Sequence, residues 1–174
     1  MEYEKKGAVR SSKARPGDVV ISAAALAWLT ERINGHQPSA LIADVKVVFS
    51  SAKTYVERGA DTTAGRALAI GAKGKEDTFR AKLGPLGRAA INLPRVWVFH
   101  PWILDAHGAL HPVLAADIHG LAECIARVKH GHQVSADALT TLTASIETAF
   151  LKRLSFALQR WRFDYFEGRL RKCA

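Results

Sequence analysis

The chain has 174 residues, 48% of them hydrophobic, which suits one compact domain with a buried core. Its formal net charge is +9, from 25 Lys and Arg against 16 Asp and Glu. No apolar run approaches the roughly 20 residues of a bilayer span, the charged start lacks a secretory h-region, and two cysteines are too few for a disulfide scaffold. These totals lead to the expectation of a soluble cytoplasmic protein without a membrane partner, with Cys124 as a core thiol and Cys173 as a tail thiol.

The charge is unevenly placed. Residues 44–95 carry ten basic against five acidic residues, residues 151–172 seven against two, and the first twenty five against three. Residues 96–150 reverse the sign, two against five. Basic segments around a mildly acidic one point to a polyanion as partner.

In chain order, residues 1–18 are polar, basic and broken by Gly and Pro, which predicts a flexible basic arm ahead of a single domain over 19–174. The run Val19–Ile33 holds good helix formers, with Ile21, Ala25, Trp28, Leu29 and Ile33 as an apolar stripe and Asn34-Gly35 as the stop. Leu41–Phe49 is short, β-branched and bounded by turn residues, so it predicts a strand, with Asp44, Lys46 and Val48 on one face and Val45, Val47 and Phe49 on the other.

Six glycines punctuate residues 50–94, so only short helices are expected there, and the Gly-Ala-Lys-Gly-Lys run at 71–75 reads as a basic loop. Arg95–His100 is a second strand candidate, closed by Pro101. The two strands, unstable alone, are expected to pair as an antiparallel ribbon. Pro112 opens a helix striped by Leu114, Ile118, Leu121, Ile125 and Val128 and stopped at Gly131. Ser135 caps a longer helix with Leu139, Leu142, Ile146, Phe150, Leu154, Ala157, Trp161 and Tyr165 along one side. The two helices are expected to form a long C-terminal helical hairpin.

Chemistry is sparse. His107 and His111 stand four apart, but Gly108 and Pro112 interrupt a helix there and no Cys-x-x-Cys or His-Glu-x-x-His accompanies them, so helix-end or surface roles are expected and no metal. There is no nucleophile elbow, Walker loop or dinucleotide fingerprint, hence no enzyme, cofactor or small-molecule substrate is expected. In the basic, aromatic run 151–169 the aromatics mostly continue the core stripe, while Arg153, Arg160, Arg162 and Arg169 lie off it as phosphate candidates.

The blocks Val45–Ser51, Asn92–Trp102, His107–Pro112 and Arg160–Arg169 resemble the AcaB-like family of transcriptional regulators from conjugative plasmids and integrative conjugative elements. The resemblance implies an α+β, predominantly helical ribbon–helix–helix-type fold whose antiparallel ribbon lies in the major groove, as a homodimer or with both strands supplied by one chain. Carried onto this sequence, it gives Lys46 and Arg95 base contacts, with Trp97 on the face of Arg95. Lys53, Arg58, Arg66, Lys73, Lys75, Arg80, Lys82 and Arg88 would grip phosphate. The expected function is a sequence-specific regulator of transfer genes bound to double-stranded DNA. The alternatives are a relaxosome or partition accessory protein that binds DNA for architecture, and an interaction module that binds an acidic protein and no DNA.

Overall fold

The β-branched run after Pro38 forms a nine-residue strand, β3 (Ala40–Val48), and the second such run forms β4 (Trp97–Asp105). Ahead of them come β1 (Glu2–Tyr3) and β2 (Val19–Ser22), between them α1 (Lys53–Val56) and α2 (Arg66–Ile91), and after them α3 (Pro112–His130) and α4 (Ala136–Cys173). The computed structural model describes residues 2–3, 18–22, 26, 37–60, 62–91, 97–131 and 134–173, and their side chains except at 2–3, 82–91, 166 and 168–173. The architecture is α+β, with the sheet in the order β1-β2-β3-β4.

The pairing of the two long strands overturns the expected ribbon. β3 and β4 run parallel, from Ala40 opposite Trp97 to Val48 opposite Asp105. Parallel neighbours need a long crossover, and α2 supplies it. β3 is also an interior strand, because β2 pairs antiparallel along its first half, Val19 opposite Ala43 and Ser22 opposite Ala40. Leu41 and Ala43 of β3 pack in one core cluster and Val48 in the other, while Val45 is exposed.

Three further expectations change. The start of the helix expected at 19–33 is the strand β2, and the rest of that segment lies outside the described residues apart from buried Leu26. The expected short helices of 50–94 are replaced after residue 65 by the single 26-residue α2, which carries the 71–75 run as helix. Pro101 does not end the second strand, which continues to Asp105. β4 is an edge strand, where a missing N–H on the open side costs no ladder bond. The arm expected over 1–18 lies outside the described residues except for β1 and Asp18.

Strand alternation sorts the core into two layers. Leu41, Ala43, Val98, Trp102 and Leu104 point to one side, where Leu114 and Ile118 of α3 and Leu158 of α4 meet them. Val48 and Ile103 point to the other side, against Ala67, Leu68 and Ala72 of α2, and Phe79 of α2 stacks on Phe99 at 4.1 Å. α2 approaches the sheet closely at Gly71, where an added Cβ would stand 2.9 Å from Val48 and 3.0 Å from Ile103.

The helix starts follow local chemistry. Pro112 occupies the first turn of α3, and Gly131 closes it with φ 77°. The Ser135 hydroxyl accepts the Ala138 N–H at 3.3 Å ahead of α4. α3 and α4 pack on each other, tied by the His119–Glu147 contact at 3.0 Å. Along α4 the buried line falls on Thr143 and Leu158, with Leu151 and Leu154 packed beside it. Phe150 and Ala157 of the expected stripe are exposed. Trp161 and Tyr165 are partly exposed but meet Phe49, the first stacked at 5.5 Å and the second tilted at 5.4 Å.

Candidate nucleic-acid interface

The segment leading from β3 into α1 is fixed by the end of β4. Buried Asp105 accepts the Ser50 N–H at 3.3 Å and the His107 N–H at 2.7 Å, and the Ala106 N–H donates to the Val48 carbonyl at 2.8 Å. That anchoring places α1 and the turn after it at the carboxyl ends of the parallel strands. Gly59 in that turn has φ 74°, a conformation suited to glycine. An added Cβ there would stand 3.7 Å from the Arg66 guanidinium carbon, so the first turn of α2 abuts the turn that carries Arg58.

On α2 itself, Arg66, Lys73 and Arg80 recur every seven residues, which places them on one line about 21 Å long. All three are exposed, as are Lys53 and Arg58 nearby. Asp77 lies in the same line, and Arg80 makes only a 4.0 Å contact to Glu76. Lys53 has a 3.8 Å partner in Glu57, an exposed pair of little energetic consequence. Among the described residues Arg58, Arg66 and Lys73 form no ion pair.

Other expected contact residues are placed differently. Lys75 is half-buried and bonded to Asp44 at 2.8 Å, which ties α2 to β3. Burial raises the Asp44 carboxyl above the usual range; Lys75 pulls it back down, and nearby Asp18 pushes it up. Lys46 is also half-buried, with its ammonium 5.9 Å from the centre of the Tyr55 ring. It sits in register with Ile103, whereas Trp97 is opposite Ala40, so the two do not meet. Lys82 and Arg88 belong to α2 without described side chains, and Arg95 lies outside the described residues.

Asp117 carries no sequence signal, whereas His107 and His111 take the surface and helix-end positions expected of them. Asp117 on α3 is 1% exposed and accepts from Trp102 Nε1 at 2.7 Å and His100 Nδ1 at 2.8 Å, fastening α3 to β4. His111 caps α3, its Nδ1 accepting the Val113 N–H at 3.4 Å, while His107 is exposed. Among the described residues no His, Cys, Asp or Glu cluster is arranged to hold a metal, and no helix is long and apolar enough to cross a membrane.

No protein-family model, curated protein or solved structure matches the chain.

Proposed function

We propose that the chain binds double-stranded DNA through the α1–α2 layer and acts as a sequence-specific transcriptional regulator. The likeness to the AcaB-like family supports transfer genes of a plasmid or integrative element as its targets. The observation that carries the reading is the exposed Arg66–Lys73–Arg80 line, with the turn of Arg58 beside its start and Lys53 exposed on α1. Among the described residues Arg58, Arg66 and Lys73 have no carboxylate partner, and the Glu contacts of Lys53 and Arg80 are long and exposed. These cations therefore keep most of their attraction for phosphate, while a rigid helix spaces the α2 members. In place of a ribbon, β3 and β4 form the platform that carries α2.

The test is a footprint of the purified full chain on DNA flanking its own gene. A protected site that persists at about 200 mM salt is expected. Sequence-independent binding that vanishes at that salt would favour the architectural role instead. Absence of duplex binding even at low salt would overturn both.

A further inference from the structure

α4 shows two different sides in its second half. Leu151, Leu154, Leu158, Trp161 and Tyr165 turn towards the sheet layer or Phe49. Phe156 and Phe163 are seven residues apart, on one line about 10 Å long, and are 73% and 69% exposed. Lys152, Arg153 and Arg160 are exposed around the same line. From Lys152 to Phe163 the sequence holds four basic residues and no Asp or Glu, with Arg162 turned off the phenyl line and exposed Asp164 following directly.

We propose that this outward face of α4 docks an acidic amphipathic helix of a partner protein. Each phenyl ring brings an apolar area of the order of 150–250 Å², which solvation disfavours and an apolar partner side chain would cover. Phe156 and Phe163 repeat at the heptad interval, as do Arg153 and Arg160 beside them, the pattern that a helix with an apolar seam and acidic flanks complements.

Two other occupants fit less well. A second α4 centred on the two phenyl rings would bring Arg160 beside its own counterpart in either orientation, a like-charge contact. Duplex DNA would satisfy the cations but keeps its bases stacked inside and offers the rings no cover. The surface lies across the sheet from the α1–α2 layer, so the proposal stands apart from the DNA reading.

The probe is a fluorescein-labelled peptide of about three heptads with Leu at a and d and Glu at e and g, compared with the same peptide carrying Lys. Repulsion between its own Glu residues keeps the probe from pairing with itself. The full chain should bind the Glu peptide and ignore the Lys peptide. The Phe156→Ser/Phe163→Ser and Arg153→Glu/Arg160→Glu variants should each lose about tenfold or more in affinity, with unchanged circular dichroism and melting, because the replaced side chains are exposed. Equal binding of both peptides, or a Phe variant that binds as well as the parent, would overturn the proposal. So would transfer of the Phe dependence to an oligo-dT single strand, or to a self-associated dimer in sedimentation.

Discussion

His111 joins β4 to α3 in two ways. Its backbone N–H donates to the Ile103 carbonyl at 2.9 Å, and its ring nitrogen caps the following helix. Partial burial holds the imidazole below its ordinary value of about 6.5, with Glu76 pulling weakly in the opposite direction. The geometry asks for the same form, since Nδ1 accepts from Val113 only while it is unprotonated. A depressed histidine adds stability that is present above its unfolded value and is lost as pH falls through the folded one. His111→Asn keeps an acceptor at the cap without titrating. In paired melts from pH 7 to pH 5, the parent should lose stability relative to His111→Asn, and a constant gap would contradict the assignment. The helix-end role of His111 was legible from Pro112 beside it. The Asp44–Lys75 bond was not, because only the crossover of α2 over β3 brings residues so far apart in sequence together.

Glycine at the scale of elements has two meanings on α2, which explains why the helix was hard to read. Gly71 is required by the close approach to Val48 and Ile103, whereas nothing lies within 4 Å of an added Cβ at Gly74. Gly74→Ala should therefore stabilise the protein by about 1 kcal/mol, the difference in helix propensity. Gly71→Ala gains the same propensity but forces the helix off the sheet, so a net loss of about 1–2 kcal/mol is expected in urea unfolding. Equal effects from both would mean that α2 does not pack at Gly71. The positions of β3, α3 and the start of α4 followed from β-branched runs, Pro112, Gly131 and Ser135, all local signals. The pairing sense of β3 and β4 did not, because it depends on α2 being one crossover, and its glycines masked that. Leu139, Leu142, Ile146 and Leu154 of the apolar stripe on α4 are half-buried, and Trp161 and Tyr165 meet Phe49. Contact with the sheet, however, selects Leu151 and Leu158 over the adjacent Phe150 and Ala157, a choice that periodicity alone does not make.

The whole molecule is a sheet between two helical layers that carry basic side chains outward on opposite sides. The α1–α2 layer presents cations with its one described phenyl ring, Phe79, stacked on Phe99 of the sheet. The α4 face mixes cations with exposed Phe156 and Phe163. Their separation follows from strand alternation, which sends Val48 and Ile103 to α2 and Leu41, Val98 and Trp102 towards α3 and α4.

Salt dependence tests the central claim, that the α2 line grips DNA phosphate, most directly. Each neutralised phosphate contributes about 0.9 to the slope of log affinity against log salt. The Arg66→Ala/Lys73→Ala/Arg80→Ala variant should weaken duplex binding and flatten that slope by roughly 2 to 3 relative to the parent, with its melting little changed. A slope and affinity equal to those of the parent would place the DNA contact elsewhere and contradict the account.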